Sequence, residues 1–179
     1  SKVGRATLAW SSPAPVGLPI KGEEGIDALD VPAVPVVTKF GDLMEAFGTL
    51  YSSEHSFRTV VVDSISTLEA IVWDEVCRID GKAKSIEQVG GGYGKGYTEA
   101  LRQWREITEA LDALRNERGM GCILIGHVQA KRFNDPLNEA SDHYSFDINE
   151  KAVEPLTRWA DGVLVFTRKT ALGTDDVRV

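Results

Sequence analysis

The sequence has 179 residues, which is the length of one globular domain. Hydrophobic residues make up 42% of the chain and charged residues 26%, a composition that excludes a disordered or fibrous protein. Its 27 acidic residues outnumber the 20 basic ones, and the formal charge of −7 excludes a surface that coats nucleic acid non-specifically, so any polyanion site must be local.

No membrane or export signal is visible in the sequence. No run approaches the roughly 20 apolar residues that cross a bilayer, and no cationic start leads into a cleavage site. We therefore expect a cytoplasmic protein with no membrane partner. The two cysteines, Cys77 and Cys122, stand in apolar stretches without metal-ligand spacing, which predicts buried thiols rather than a disulfide.

Strands and helices alternate along the first half of the chain. Short strands are predicted at 16–20 and 34–37, and their prolines indicate sheet margins. Apolar residues spaced three and four apart predict a helix over 40–51. The run TVVVD at 59–63 predicts a strand buried on both faces, and a helix from Ser64 to about Ile79 follows it.

The second half continues the alternation. The segment VGGGYGKG at 89–96 predicts a mobile loop. An apolar stripe from Leu101 to Leu114 then predicts a helix that Gly119 closes. After it we predict a strand at 122–126, a polar stretch from His127 to Asp147, a helix from about Ile148 to Trp159 and a strand at 162–166.

This order predicts an α/β fold in one domain over 1–179, with a mostly parallel sheet flanked by helices on both faces. In such sheets ligands bind beyond the carboxyl ends of the strands. The positions of interest are therefore Asp63 and Ser64 after one buried strand and His127 to Gln129 after the next.

Two motifs bear on nucleotide chemistry. The strand ending in Asp63 fits the Walker B pattern, in which a carboxylate holds Mg²⁺, and it equally fits an aspartate that caps a helix. The opening SKVGRAT partly matches the phosphate-binding P-loop, with Gly4 at its second glycine. Arg5 replaces the usual lysine, and Ala6 replaces the Mg²⁺-binding hydroxyl. Thr7 supplies that hydroxyl only if the loop register shifts by one residue.

The chain as a whole resembles the RecA-like nucleotide-binding proteins of bacteriophages, which include single-strand annealing recombinases. The resemblance runs from Lys2 to about Thr170. It rests on ordered matches: KVGRATLA, EEGIDALD, FRTVVVDSISTLE, GGGYGKGYTEALRQWREI, CILIGHVQAKRFNDP, DHYSFDINEKA and LTRWADGVLVFTRKT.

The resemblance implies a RecA-like P-loop NTPase core that uses ATP and Mg²⁺. The implied nucleotide-binding residues are Lys2, Val3, Gly4, Arg5, Ala6, Thr7 and Asp63, with Asp63 and Thr7 as metal ligands. Glu23 or Glu24 takes the place of the carboxylate that polarises the attacking water, and His127 and Gln129 take the place of a γ-phosphate sensor. From the residues alone, the glutamate pair also fits a solvated turn and His127 a satisfied strand end.

The resemblance also implies two mobile DNA-binding loops, at about Gly81–Gly96 and Ala130–Asp147. The first carries three lysines against one glutamate, together with an aromatic residue among glycines, which suits single-stranded DNA. The second begins with two cations but also holds four acidic residues, so its DNA role stops at those cations. A disordered surface segment remains open for both loops. The implied DNA-binding residues are Lys82, Lys84, Tyr93, Lys95, Lys131 and Arg132.

These features predict the ATPase core of a phage recombination protein that binds single-stranded DNA as a homo-oligomeric ring or filament in the bacterial cytoplasm. A phage or host single-strand-binding protein is a further expected partner. Because the altered P-loop weakens turnover, the alternative is a nucleotide-dependent DNA-binding or assembly module without hydrolysis. A nucleotide kinase or GTPase fits less well, since no N-K-x-D motif occurs. The resemblance places a first strand before Ser1 and further strands after Val179, so we expect a fragment.

Overall fold

The computed structural model describes residues 5–23, 31–133 and 141–166. The helices are α1 (Arg5–Trp10), α2 (Phe40–Ser52), α3 (Ile65–Asp80), α4 (Lys95–Arg118) and α5 (Glu150–Trp159), and a 3-10 helix (Ile86–Gly91) precedes α4. The strands are β1 (Pro15–Pro19), β2 (Thr59–Asp63), β3 (Gly121–Ile125), β4 (Val128–Phe133) and β5 (Ser141–Phe146).

A three-stranded parallel sheet in the order β1-β2-β3 organises the fold. Each residue of β2 pairs with one residue on either side, so that Pro19, Asp63 and Ile125 end in a single row. All residues of β2 are buried, as its continuous apolar run predicts for a central parallel strand. The α/β fold class is therefore confirmed.

Helices cover both faces of the sheet. Val60 and Val62 point into the main core, which they share with buried side chains of α2, α3 and α4. Val61, between them in the chain, points to the opposite face and packs with Ala9 of α1 and with Ile125. This alternation follows from the two-residue side-chain period of a strand, and it buries β2 between two helical layers.

Helix boundaries follow local backbone chemistry. Helix α3 begins after Ser64, whose Oγ accepts a hydrogen bond from the Thr67 backbone N–H, as expected for a serine N-cap. Helix α4 ends at Gly119 in the left-handed conformation that favours glycine, which confirms the predicted end. The helix begins at Lys95, before the apolar stripe.

The glycine-rich segment at 89–96, predicted as a mobile loop, forms the kinked end of the 3-10 helix, a turn and the start of α4, and its mobility stays a prediction. The 3-10 helix buries Ile86 and Val89, and α4 follows it after a tight turn. A side chain at Gly96 would collide with the backbone oxygen of Ile86, so this glycine permits a close approach of two segments. The glycines here serve turn geometry and packing.

Three further predictions need correction. The polar stretch after His127 forms the antiparallel pair β4–β5. The predicted strand at 162–166 is exposed coil, because no strand pairs with it in the described part of the chain. The predicted strand at 34–37 is reduced to a single isolated bridge, which joins Val37 to Ile20.

Helix α5 begins at Glu150, and Asn149 caps it by accepting a hydrogen bond from the Lys151 N–H. Pro155 lies inside this helix and has no N–H to donate to the carbonyl of Lys151, four residues earlier. Across the described ranges, no helix is both long and apolar enough to cross a membrane.

The contact between α1 and the sheet predicts a stability change. A Cβ on Gly17 of β1 would collide with the Trp10 ring of α1, so we expect Gly17→Ala to lower the free energy of unfolding by about 1–3 kcal/mol. Chemical denaturation measures it. Gly48→Ala is the matched control, because Gly48 lies in α2, where an added methyl group would have nothing within 4 Å, and alanine favours helices. Equal effects of the two substitutions would contradict the packing described for α1.

Candidate functional site

The candidate site lies at the carboxyl edge of the parallel sheet. The row formed by Pro19, Asp63 and Ile125 ends the three strands, and the chain continues from it to Glu23, Ser64 and His127. The Ile20 N–H donates to the Asp63 carbonyl across 3.1 Å, so the pairing of β1 with β2 continues up to the site. This is the edge at which ligands of parallel α/β sheets bind.

Glu23 joins the three strand ends. Its Oε1 lies 2.6 Å from Nε2 of His127 and 2.7 Å from Oγ of Ser64. Because an ionised carboxylate only accepts hydrogen bonds, the serine hydroxyl donates and His127 carries its proton on Nε2. The structure therefore brings together the predicted residues Glu23 and His127, which are 104 positions apart in the sequence.

The backbone of His127 is fixed on both sides. Its N–H donates to Oγ of Ser66 on α3 across 2.9 Å, and its carbonyl accepts from the Asp147 N–H across 2.9 Å. At the preceding residue, Gly126, a Cβ would meet Phe146 at 2.9 Å and Ile65 at 3.1 Å. Close packing and main-chain hydrogen bonds thus hold the imidazole toward Glu23.

Asp63 and Ser64 form the β2 side of the site, and both are buried. Carboxylate and hydroxyl oxygens are the ligand type that Mg²⁺ prefers, so the donor set at this edge fits that ion. The described residues contain no group of three or more His, Cys, Asp or Glu side chains that could hold a metal by themselves. That fits a Mg²⁺ ion shared with nucleotide phosphates, for which one or two protein ligands suffice.

Helix α1 carries the described part of the predicted phosphate loop. It leads through a short turn into the beginning of β1, where Arg58 N–H and Thr59 Oγ1 bond the carbonyls of Ala14 and Pro13. The end of α1 therefore lies toward the amino edge of the sheet, and Ala9 packs against Val61 and Ile125. The predicted positions on α1 are Arg5, Ala6 and Thr7; Lys2, Val3, Gly4 and Glu24 lie outside the described residues.

Gln129 takes part in the β4–β5 hairpin. Its side-chain amide donates to the Phe146 carbonyl across 2.9 Å, which ties β4 to the end of β5. A structural partner therefore exists for this predicted sensor residue, and its catalytic role stays a prediction.

The predicted first DNA-binding loop presents an aromatic residue on a well-supported turn. Tyr93 is 100% exposed and adopts a positive φ of 56° between glycines that also have positive φ. Asp80 supports the turn from α3 by accepting from the backbone N–H groups of Lys82, Ala83 and Gly90. We call residues 90–94 the Tyr93 turn.

Exposed cations surround this turn. Lys82, Lys84 and Lys95 are exposed, and Lys95 Nζ donates to the Gly90 carbonyl across 3.1 Å. The Tyr97 hydroxyl donates a hydrogen bond to the carboxylate of Glu87 across 3.0 Å. Glu87 is the acidic residue of the predicted loop at 81–96. Through its bond to Gly90, Lys95 is tied to the turn that displays the Tyr93 ring.

The predicted second DNA-binding segment is part of a hairpin. Lys131 and Arg132 lie on β4, opposite His143 and Asp142 of β5. The prediction of a loop at these two positions is wrong, because β4 and β5 pair along their whole length. Their role in DNA binding stays a prediction.

Glu69 is a buried carboxylate beneath the site. Burial raises its pKa above the usual value, whereas a hydrogen bond from the Asn149 N–H, across 2.7 Å, lowers it and the charge of Asp147 raises it. Cys77 and Cys122 are free and half-buried, and burial raises the pKa of Cys122 to about 11. That thiol is therefore not reactive at neutral pH.

A cavity of about 800 Å³ lies beside the outer edge of β3. Residues of α1, β3, α5 and the segment 160–166 line it, and most of them are apolar. His127 lies between this cavity and the Glu23 carboxylate. The candidate site is the polar carboxyl edge, where Glu23, Ser64 and His127 converge beside Asp63, rather than this mostly apolar cavity.

Comparison with known proteins places the chain in a family. A family model described as an AAA domain matches residues 1–177. The chain belongs to the AAA domain family. No curated protein and no solved structure matches it.

Membership in the AAA domain family supports a nucleotide-binding, ATPase-type domain with a P-loop NTPase fold. This agrees with the P-loop NTPase core that the sequence resemblance implies. Nucleotide binding in such a domain is typically dependent on Mg²⁺. Phage recombination and DNA binding lie beyond what this match carries.

Sequence reasoning missed several residues that shape the site of this AAA domain. Ser66 and Glu69 support it from α3, and Lys151 supports the Tyr93 turn. The motif DSIST placed Ser64 and Ser66 near the strand end. No local pattern indicates that Glu69 or Lys151 contacts distant backbone groups.

The buried carboxylate gives a pH prediction. Because the folded state keeps the Glu69 proton to a higher pH than the unfolded state, this group loses stabilising influence as the pH rises through its folded-state pKa. Glu69→Gln stays neutral and keeps an acceptor for Asn149. We expect its free energy of unfolding, relative to the unaltered protein, to increase between about pH 4 and about pH 7.

Glu75→Gln on the same helix is the control for this measurement. A hydrogen bond from Arg78 lowers the pKa of Glu75, so its stabilisation is present at higher pH and is lost as the pH falls. The relative stability of Glu75→Gln should therefore decrease as the pH rises toward about pH 5 and stay level above it. Parallel pH trends for the two variants in urea denaturation would contradict the assignment for Glu69.

Proposed function

We propose that this AAA domain binds and hydrolyses ATP at the carboxyl edge of its sheet, and that it acts in phage DNA recombination by holding single-stranded DNA at the Tyr93 turn. The observation that carries the nucleotide part is the convergence of Glu23, Ser64 and His127 beside Asp63. The family match to an AAA domain supports the same chemistry.

Glu23 is suited to orient the attacking water. Its carboxylate is half-buried and held by two donors, so its position is fixed before substrate arrives. The hydrogen bond from His127 limits rotation of the carboxylate, which would keep Glu23 oriented toward the attacking water. Positioning and charge stabilisation supply most of the catalysis in phosphoryl transfer.

Asp63 would hold Mg²⁺, with Thr7 as the second predicted ligand, and the ion would neutralise charge on the β- and γ-phosphates. Arg5 keeps a positive charge at the P-loop position of lysine, and its forked guanidinium is suited to phosphate oxygens. The substitution of Ala6 for a hydroxyl removes one metal ligand, so we expect slow turnover.

The DNA part of the proposal rests on the Tyr93 turn. A fully exposed ring provides a stacking surface for a nucleobase, and the lysines beside it provide contacts for the phosphate backbone. The overall charge of −7 limits non-specific attraction, so such binding would depend on this local surface. A homo-oligomeric ring or filament would align several such turns along one strand.

The carboxylates of the site give the central test. We expect ATP hydrolysis that single-stranded DNA stimulates, and loss of this turnover in Asp63→Ala. Glu23→Gln should lower kcat by about 10²–10⁴-fold, because it removes the base that orients water, while the shift in melting temperature caused by ATP persists. Phosphate release and thermal denaturation measure the two effects.

Glu45→Gln, an exposed substitution on α2, is the matched control and should leave kcat unchanged. DNA binding and ATP binding without any turnover would favour the alternative of a module that has lost hydrolysis. A melting temperature that ATP leaves unmoved would overturn the nucleotide site itself.

The Tyr93 turn gives a separate prediction. Loss of base stacking in Tyr93→Ala should cost about 1–3 kcal/mol, which raises the Kd for a single-stranded oligonucleotide about 5–150-fold. Fluorescence anisotropy measures this affinity. Tyr51→Ala, which removes another exposed tyrosine at the end of α2, should leave the Kd unchanged, and equal losses would argue against the turn as the contact.

A further inference from the structure

One short segment touches both the carboxyl-edge site and the Tyr93 turn. It consists of residues 147–151, which join the end of β5 to the first turn of α5. We call it the connector. Three of its residues form hydrogen bonds to three different parts of the fold. Asp147 bonds to the residue that follows β3 by two positions, Asn149 bonds to α3, and Lys151 bonds to the start of α4.

The first residue of the connector bonds to the candidate site. The Asp147 N–H donates to the carbonyl of His127 across 2.9 Å, and the imidazole of the same residue bonds to Glu23 across 2.6 Å. A displacement of His127 therefore moves an acceptor of the connector directly.

The middle of the connector is tied to α3. The Asn149 N–H donates to Oε1 of Glu69 across 2.7 Å, and its side-chain oxygen accepts from the Lys151 N–H across 3.1 Å. Helix α3 begins at the other end of the site, where Ser64 bonds to Glu23. The connector is therefore linked to the end of β3 through His127, and to the end of β2 through α3.

The last residue of the connector holds the Tyr93 turn. Lys151 Nζ donates to the Gly94 carbonyl across 3.2 Å and to Oγ1 of Thr98 across 2.7 Å. Gly94 follows Tyr93 directly and is the N-cap of α4, with a φ of 72°. The ammonium therefore fixes the point at which the turn enters α4.

We infer that the connector couples the carboxyl-edge site to the Tyr93 turn, and that Lys151 is the positioning residue through which the coupling reaches the turn. The inference rests on the proposed function for its meaning, since it would let nucleotide at Glu23 and His127 set the geometry of the DNA-binding turn. The coupling itself needs neither nucleotide nor DNA. It requires only that the hydrogen bonds at 147, 149 and 151 act in series.

Hydrogen exchange in a double-mutant cycle tests the coupling without nucleotide. We compare the unaltered protein, His127→Ala, Lys151→Met and the double variant. His127→Ala should speed amide exchange in the peptide 85–98 by about fivefold or more when Lys151 is present, and should add little when Lys151 is already replaced. Lys39→Met, at the start of α2, is the control for loss of a lysine.

Two results overturn the inference. One is unchanged exchange of this peptide in His127→Ala, and the other is an equal acceleration in both Lys151 backgrounds. Exchange of the core peptide 104–114 in α4 reports whether the fold is intact. If His127→Ala disturbs that core, Ser66→Ala takes its place in the cycle, because it removes the acceptor of the His127 N–H while keeping the imidazole.

Adding ATP and Mg²⁺ separates this inference from the proposed function. Nucleotide should change exchange at 85–98 in the unaltered protein and leave it unchanged in Lys151→Met. If ATP leaves the melting temperature of both proteins unmoved, the proposed function fails, and the nucleotide-free cycle still decides whether the connector couples the two regions. If ATP binds and alters exchange equally in both proteins, the inference fails and the proposed function stands.

Discussion

A single carboxylate oxygen, Oε1 of Glu23, joins the ends of three parallel strands, and the candidate site depends on it. Its two donors, Ser64 and His127, come from the strands next in order across the sheet. Strand register makes this possible, since Pro19, Asp63 and Ile125 end in one row. A register slip of one residue would turn the strand side chains to the opposite face and separate these groups.

The Tyr93 turn is held by side chains from three helices. The Tyr93 turn is supported from α3 by Asp80, from α4 by Lys95 and from α5 by Lys151. These supports use the backbone groups of the turn, which leaves the ring of Tyr93 fully exposed. A fixed turn loses less conformational entropy on binding than a disordered one, so affinity for a flexible strand would depend less on net charge.

Sequence patterns predicted the features that depend on local chemistry. The buried strand β2 and the glycine end of α4 follow from side-chain type and backbone conformation alone, whereas the N-cap of α3 is Ser64 and not Asp63, which the sequence had offered as a cap. The convergence of Asp63 and His127 was predictable because parallel strands share one carboxyl edge. The bond between His127 and Glu23 depends on tertiary structure over 104 positions, and no periodicity encodes its partner.

The incorrect predictions also concern features that depend on tertiary structure. The segment 162–166 has the composition of a buried strand, but a strand also needs a neighbour, which composition cannot supply. The β4–β5 hairpin has no two-residue turn signal, so its polar residues indicated a loop. The mobility expected from the glycines at 90–96 stays a prediction, and the structure adds that Gly96 admits the backbone of Ile86 while its neighbours adopt positive φ angles.

Pro155 gives the end of the connector a mechanical property. In an unbroken helix the carbonyl of Lys151 would accept from the amide of residue 155, and proline removes that rung of the ladder. The opening turn of α5 is therefore secured by its asparagine cap and by the lysine tether more than by the remainder of the helix. A displacement of this turn can therefore be transmitted through Lys151 to the start of α4, while the rest of α5 stays packed on the core.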